Sequence, residues 1–292
     1  LAIAMIGVEE RETATGIHVV RLHYTADPLK RSQEWLKEAK RGMSPRAWAK
    51  EYEIDWTVAS GLPVYAEDFR RDWHVSEAPL DHSENVEMLR GWDLGATHQF
   101  PACVWGQLTN RGRTLMILRE MVTWDGRGDP VSCDVGSFAD AVIVESNTYF
   151  PCERGWIDYS DPAAWTKSQV GQEAKSAADE LRERKIYPRR GPVTFKDRQA
   201  AILDRLRMAQ GGEPAILIDP SCRMIIEGLA GAYKYEEVGE TGRYKATVEK
   251  NAWSHVMNAL EYLVGGVYAP ERKDEDEHRR KRRVKRDKVT GY

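Results

Sequence analysis

Acidic residues interrupt or follow strand-like apolar stretches at two places in this sequence. Asp93 lies in "RGWDLG", and Asp158 and Asp161 lie in "GWIDYSDPA". A carboxylate is costly to bury unless it has a partner such as a cation. Side chains at the ends of neighbouring strands of an α/β sheet converge on one crevice. We therefore expect Asp93 and Asp158, with Asp161 beside them, to share a hard divalent cation.

The apolar segment "AWSHVMNALEYLVGG" adds two further candidate ligands, His255 and Asn258. They are three residues apart, so both project from one face of a helix. The imidazole can bind a metal when neutral or carry a proton when charged. Two metal ions about 3.5 to 4 Å apart would activate a water molecule and stabilise both the attacking and the leaving oxygen of a phosphodiester. We predict two divalent metal ions, with Asp93, Asp158 and His255 as catalytic ligands and Asp161 and Asn258 as additional ligands.

Each of these residues also has a purely structural interpretation. Backbone amides could satisfy Asp93, "DYSDP" could be a turn, and His255 could be a core histidine with one hydrogen bond. Glu120 and Glu145 are weaker candidates, since strand alternation does not settle which face Glu120 takes and Glu145 could end a helix. The order of the acids along the chain favours the metal site for Asp93 and Asp158.

The elements that must position these residues begin near residue 87. The pattern predicts strands over 87–95, 100–108 and 113–124, a helix within 130–147 and a strand over 154–163. Further predicted elements are helices over 171–185, 197–212 and 222–235, a strand over 214–220, a hairpin over 235–250 and a last helix over 252–266. Three antiparallel-type strands followed by alternating helices and strands predict a ribonuclease-H-like mixed central sheet flanked by helices.

The sequence before residue 87 has a different character. It predicts a strand over 17–24, helices over 27–42 and 44–53, and an irregular, turn-rich linker up to the main domain. We therefore predict three regions: a strand-helix-helix and linker segment at 1–86, a ribonuclease-H-like domain at 87–270, and a basic, disordered tail at 271–292.

Composition and charge narrow the class of protein. The chain has 292 residues, 41% hydrophobic and 30% charged, as in ordinary folded proteins. No apolar run approaches the roughly 20 residues that span a bilayer, and the first residues lack a secretory signal, so we expect a soluble, intracellular protein. The four cysteines form no C-x-x-C pair, which favours free thiols.

Basic residues are concentrated in "RRKRRVKRDK", residues 279–288, which holds eight basic residues and one acid, although the whole chain has a net charge of −3. Such a segment can bind a polyanion through counterion release. Two arginine pairs, Arg70 with Arg71 and Arg189 with Arg190, could contact DNA phosphates, and ordinary surface charge is an equal alternative. The sequence has no phosphate-binding loop, nucleophile elbow or dinucleotide fingerprint.

Four stretches, taken in order, resemble the C-terminal nuclease half of the large subunit of tailed-bacteriophage terminases. These are "WAKEYEIDW…SGLPVYAEDF", "GWDLG", "WIDYSDPA" and "SHVMNALEYLV", which together cover roughly residues 20–268. The resemblance implies a metal-dependent endonuclease that cuts concatemeric viral DNA during packaging, in the host cell cytoplasm. It implies that Asp93 and Asp158 bind Mg²⁺ or Mn²⁺ and that His255 is a further ligand.

The resemblance also implies binding partners, and this sequence differs from the family pattern at one site residue. Its partners would be double-stranded DNA, the portal protein, the small terminase subunit and a packaging ATPase domain, with no membrane. Because the phosphate loop is absent, we expect a fragment of a longer chain or a separate nuclease domain. The resemblance implies that residues 1–86 are the end of the motor domain and its linker, and that residues 87–270 are the nuclease domain. Asn258 stands where the family more often has aspartate, so the second metal would bind less strongly or depend on His255, Asp161 or water.

Two other functions remain open from the sequence. A transposase or integrase of the same fold would join strands, although no separate end-recognition domain is evident. A docking module for the portal or the small subunit, with a weakened or inactive site, would be consistent with Asn258.

Overall fold

The structure is a computed structural model, which describes residues 6–12, 16–41, 48, 52–54, 61–94, 100–109, 112–123, 131–167, 175–238 and 243–268. The chain divides into two compact units, Leu1–Leu62 and Pro63–Tyr292. Residues 63–86, which the sequence assigned to a linker, belong to the second unit. The predicted tail at 271–292 and most of the predicted helix at 44–53 lie outside the described residues. No helix in the described ranges is both long and apolar enough to span a membrane.

The first unit contains a hairpin and a short helix. Strand β1 (Val8–Glu12) pairs antiparallel with β2 (His18–Leu22). The predicted helix over 27–42 is instead a 3-10 turn, Pro28–Arg31, followed by α1 (Gln33–Ala39), because the Ser32 hydroxyl accepts the amide hydrogen of Trp35 and starts a new helix. β1 was not predicted, since its sequence "VEERE" lacks the apolar alternation of a strand.

The second unit has a six-stranded mixed sheet as its centre. Its strands are β3 (Met88–Asp93), β4 (Ala102–Thr109), β5 (Thr114–Val122), β6 (Trp156–Ser160), β7 (Arg189–Arg190) and β10 (Ile216–Ile218). Their order across the sheet is β10-β5-β4-β3-β6-β7. The β3, β4 and β5 strands are antiparallel, and β6, β7 and β10 each run parallel to their neighbour.

Helices cover both faces of this sheet. They are α2 (Arg71–His74), α3 (Val135–Tyr149), α4 (Ala177–Glu183), α5 (Phe195–Arg207), α6 (Arg223–Glu227) and α7 (Ala252–Tyr268). Two small hairpins complete the unit: β8 (Ala209–Gln210) with β9 (Glu213–Pro214), and β11 (Tyr235–Glu237) with β12 (Tyr244–Val248). The predicted mixed sheet flanked by helices is confirmed.

Each face has its own hydrophobic core. Helices α5, α6 and α7 pack on one face over Leu89, Val104 and Ile117, which we call the α7 face. Helices α3 and α4 pack on the other face over Met88, Trp92 and Trp105, which we call the α3 face. Successive residues of a strand alternate between the faces. This alternation decides on which side of the sheet each acidic residue lies.

Helix α7 lies directly against β3 at Gly91. A side chain at that position would collide with the carbonyl of Ala259 and with Leu263. The absence of a side chain therefore permits the close approach, as is typical of glycine within a strand. Because of this contact, the first two turns of α7 lie beside Asp93 at the end of β3.

The predicted helix over 222–235 is interrupted. Helix α6 ends at Glu227 and continues as one π-helical turn, Gly228–Ala232, in which Gly231 has φ 142°. Few residues other than glycine adopt this backbone conformation, so the chain turns here. Tyr233 follows the turn and is fully buried against the α7 face.

A bulge in β5 settles the orientation of Glu120. Trp105 pairs with Arg119 and Gly106 with Ile117, so Leu118 is an additional residue and the alternation reverses after it. Arg119 consequently forms an ion pair with Glu145 of α3, whereas Glu120 faces α6 and accepts the amide hydrogens of Met224 and Ile225, both at 2.8 Å. Burial raises the pKa of Glu120 to about 7, against the opposing effect of these two donors.

We predict that Glu120 makes the stability of the protein pH-dependent. The raised pKa means that the folded protein keeps a proton that the unfolded chain releases, so this stabilisation is present below about pH 4.5 and is lost as the pH rises through about 7. The free energy of unfolding, measured with urea, should fall by about 2 to 3 kcal/mol more between pH 5 and pH 8 in the wild type than in Glu120→Gln. Equal slopes in the two proteins would exclude this role.

Candidate functional site

Asp93 is the centre of a buried polar cluster on the α7 face. It is the last residue of β3 and only 4% exposed. Its Oδ2 atom lies 3.0 Å from Nδ1 of His255 and 3.4 Å from Nδ2 of Asn258. The structure thus places His255 and Asn258, two of the other four predicted metal-site residues, within hydrogen-bonding distance of Asp93.

His255 is oriented by this contact. An ionised carboxylate can only accept hydrogen bonds, so Nδ1 carries the hydrogen and Nε2 keeps the lone pair that a metal ion or a proton would take. The imidazole side chain is 28% exposed, so it can be reached from solvent. A cavity of about 720 Å³ opens beside it, with Phe100, Trp253 and Lys250 in its wall.

Asp161 lies next to Asp93 at the carboxyl end of β6. Its backbone amide donates to the carbonyl of Trp92, 3.3 Å away, which extends the β3–β6 pairing by one residue. Its Oδ1 atom accepts the amide hydrogen of Ala163 and starts the 3-10 turn Pro162–Trp165. Burial raises the pKa of Asp161, and the charge of Asp93 adds to that rise. The charge of Asp93 thus acts on Asp161, and a cation near both carboxylates would relieve this repulsion.

Asp158 occupies a different position from the one that the sequence predicted. It pairs in register with Arg90 and lies on the α3 face, whereas Asp93 and Asp161 lie towards α7. Arg90 donates to both of its oxygens, at 2.7 and 3.1 Å, and Trp92 Nε1 donates at 2.7 Å. The structure does not bring Asp158 together with Asp93, because a strand turns residues 158 and 161 to opposite faces.

A network of buried donors surrounds the Arg90–Asp158 pair. The Arg90 guanidinium also donates to the Ser146 hydroxyl, which accepts a second hydrogen bond from Trp105 Nε1. The same guanidinium lies 4.4 Å from the centre of the Trp156 ring. Both charged side chains are at most 6% exposed. Such a fully hydrogen-bonded pair is costly to break, because the remaining charge is left buried without its counterion.

The sequence did not indicate four residues that surround the cluster. These are Arg198, Tyr233, Glu261 and Tyr262. Tyr262 is seven residues after His255 on α7, its hydroxyl hydrogen-bonds to Asp161, and burial raises its pKa. Helical spacing from His255 could have identified it. The other three come from separate elements or face the core, so no sequence pattern indicated them.

The two arginine pairs lie at opposite edges of the sheet. Arg189 and Arg190 form the exposed edge strand β7, and Arg190 pairs with Ser160, the residue before Asp161. Arg70 and Arg71 start α2, and Val75, which follows that helix, bridges to β10 at the other edge. Only the Arg189–Arg190 pair is therefore close to the candidate site.

The donor set fits a hard divalent cation. Carboxylate and amide oxygens are ligands typical of Mg²⁺ and Mn²⁺, whereas an imidazole is more typical of transition metals such as Zn²⁺. Within the described ranges, however, no three His, Cys, Asp or Glu side chains converge to form a metal-binding group. Metal binding here would therefore depend on the amide of Asn258 or on water, in addition to Asp93, Asp161 and His255.

Comparisons with known structures identify the fold. The chain is similar to the large terminase of a thermophilic bacteriophage, with TM-scores of 0.53 and 0.54 in two crystal forms and 16% sequence identity. The matches cover 84% and 82% of this chain but 54% and 52% of the terminase, so this chain spans about half the length of its structural relatives. The chain thus has the fold of large terminases.

Separate nuclease domains match less closely. The P22 large terminase nuclease domain has a TM-score of 0.47 at 10% identity and covers 72% of this chain and 98% of its own. The SPP1 large terminase nuclease domain with bound Mn has a TM-score of 0.40 at 18% identity and covers 65% and 94%. No protein-family profile and no curated protein sequence matches this chain.

We predict that Asp158 stabilises the fold and takes no part in metal binding. Asp158→Asn should lower the free energy of unfolding by about 3 kcal/mol, since the Arg90 charge stays buried. Glu236→Gln, which breaks the exposed pair with Lys245, should cost less than about 1 kcal/mol. Urea denaturation measures both, and Mn²⁺ affinity of folded Asp158→Asn should equal that of the wild type. A folded Asp158→Asn protein that no longer binds Mn²⁺ would contradict this assignment.

Proposed function

We propose that this chain is the nuclease part of a large terminase, a metal-dependent DNA endonuclease that cuts concatemeric viral DNA during genome packaging. One observation supports this above all. Asp93 and Asp161 lie at the carboxyl ends of adjacent strands, with His255 and Asn258 of α7 against Asp93, on a fold shared with large terminases.

The residues of this chain would perform separate parts of the reaction. Bound Mg²⁺ or Mn²⁺, as one or two ions, would supply an activated water molecule and neutralise charge on the phosphate. Asp93 and Asp161 would hold the metal, and His255 would contribute Nε2 while its Nδ1 hydrogen stays on Asp93. Tyr262 orients Asp161 through its hydroxyl. Without a cation, the two carboxylates would repel the phosphate.

The proposed substrate is double-stranded DNA without strong sequence preference. Exposed arginines of β7, next to the site, would contact phosphates, and Lys250 lies in the wall of the cavity beside His255. The proposed partners are the portal protein, the small terminase subunit and a packaging ATPase domain, and the proposed location is the host cell cytoplasm.

A plasmid-cleavage assay tests the nuclease proposal. With Mn²⁺ or Mg²⁺, the protein should nick and linearise supercoiled plasmid, and Asp93→Ala or Asp161→Ala should lower the rate by at least about 100-fold, because each removes a metal ligand. Asp158→Asn is the matched control, because it removes an acid of the same segment that faces away from the site. It should cut like the wild type below its unfolding temperature.

Two outcomes would change the conclusion. Plasmid left intact in both metals, although the wild type binds Mn²⁺, would favour the non-catalytic docking module that Asn258 suggested. Loss of cleavage in Asp158→Asn, but not in Asp161→Ala, would show that Asp158 and not Asp161 acts together with Asp93.

We further predict that the two arginine pairs differ in DNA binding. Replacing Arg189 and Arg190 with Ala should weaken binding of a 5′-labelled duplex of about 30 base pairs in Ca²⁺. The same replacement should also make the plot of log binding constant against log salt concentration less steep, by about 0.9 in slope for each phosphate that is no longer neutralised. Replacing Arg70 and Arg71 with Ala, at the opposite edge of the sheet, should leave the DNA affinity and its salt dependence unchanged. Fluorescence anisotropy over a salt series measures this, and equal effects of the two double variants would contradict it.

A further inference from the structure

A second carboxylate, Glu261, lies buried behind the candidate site. It is 0% exposed and follows Asn258 by one turn of α7. Its two oxygens accept from the Tyr65 hydroxyl at 2.8 Å and from Arg198 Nε at 2.9 Å. The Tyr233 hydroxyl also hydrogen-bonds to it. Glu261 is therefore surrounded by three donors, as suits a carboxylate that is fully removed from solvent.

Tyr233 connects this carboxylate to the site. Its hydroxyl oxygen lies 3.3 Å from Oδ1 of Asn258, so the single hydroxyl hydrogen has two possible acceptors, Asn258 and Glu261. A hydrogen bond to an ionised carboxylate is roughly twice as strong as one to a neutral amide. When the hydrogen goes to Glu261, the Tyr233 oxygen becomes an acceptor and requires a donor from Asn258.

Asn258 can meet that requirement by turning over. The oxygen and nitrogen of an asparagine amide have nearly the same shape, so a half-turn of its last torsion exchanges them. The nitrogen then donates to Tyr233, and the oxygen faces Oδ2 of Asp93. Two adjacent oxygens repel each other unless a cation lies between them, and an amide oxygen is a normal ligand for a hard cation.

We propose that Glu261 is a positioning residue that, through Tyr233, turns the oxygen of Asn258 towards the metal position. The site thereby gains a third oxygen ligand although residue 258 has no carboxylate. This inference rests on the proposed function, because it requires that the cluster around Asp93 binds a divalent cation. A solely structural role for Glu261, as the counterion of Arg198, is the alternative.

A double-mutant cycle on Mn²⁺ affinity, measured by calorimetry on the full chain, separates these roles. Glu261→Gln or Tyr233→Phe should weaken Mn²⁺ binding about 10-fold, since outer residues that orient ligands contribute at this scale. In an Asn258→Asp background the same changes should weaken binding less than about 2-fold. A carboxylate has two equivalent oxygens, so its orientation no longer matters.

Tyr65→Phe is the matched control. It removes another hydrogen bond to Glu261 but leaves the Tyr233–Asn258 contact in place, so it should lower stability without changing Mn²⁺ affinity. Circular dichroism identifies any variant that fails to fold. Tyr233→Phe, which deletes one hydroxyl and no charge, then still tests the inference.

The outcomes distinguish this inference from the proposed function. Equal loss of affinity in the Asn258 and Asn258→Asp backgrounds, or no loss in either, would overturn the positioning role while Mn²⁺ binding that depends on Asp93 stands. If the wild type binds no Mn²⁺, or binds it equally well after Asp93→Ala, the proposed metal site fails and the positioning role fails with it.

Discussion

The candidate site depends on the direct contact between helix α7 and strand β3. Gly91 permits this contact, because any side chain there would meet the backbone of Ala259. Asp93 is two residues further along the same strand and so points to the same face. His255 and Asn258 reach it from α7, which makes the distance between helix and strand the main determinant of site geometry. A larger residue at position 91 would move three candidate ligands at once.

The sheet separates its acidic residues by face, and each face stabilises them differently. On the α3 face, Asp158 is neutralised by Arg90 and has donors for both oxygens. On the α7 face, burial raises the pKa of Asp161, and the charge of Asp93 raises it further. The first arrangement is complete within the protein and is suited to stability. In the proposed function, the second arrangement would gain from an additional cation.

Much of this could be predicted from the sequence, and the failures have specific causes. Apolar runs and turn residues identified five of the six strands of the sheet, but not the two-residue strand β7, which has no apolar residue. The three-residue spacing placed His255 and Asn258 on one helix face. Strand alternation, applied to "DYSD", turns Asp158 and Asp161 to opposite faces of the sheet, whereas the order of the acids along the chain favours placing them together. The register of β6 with β3 shows that alternation gives the correct result. The face of Glu120 could not be predicted, because it depends on a bulge at Leu118 that arises from pairing with β4.

The buried network behind the site could not be predicted from the sequence, for a different reason. Tyr65, Arg198, Tyr233 and Glu261 come from four separate segments, and only tertiary packing brings them together. Glu261 lies on the apolar side of α7, where periodicity alone would predict a hydrophobic residue. A fully buried acid persists only where its partners compensate its desolvation, so a glutamate at this apolar position indicates a hydrogen-bonded network around it. Here the partners include the tyrosine that contacts Asn258, so hydrogen bonds connect Glu261 to position 258, which lies one helical turn away.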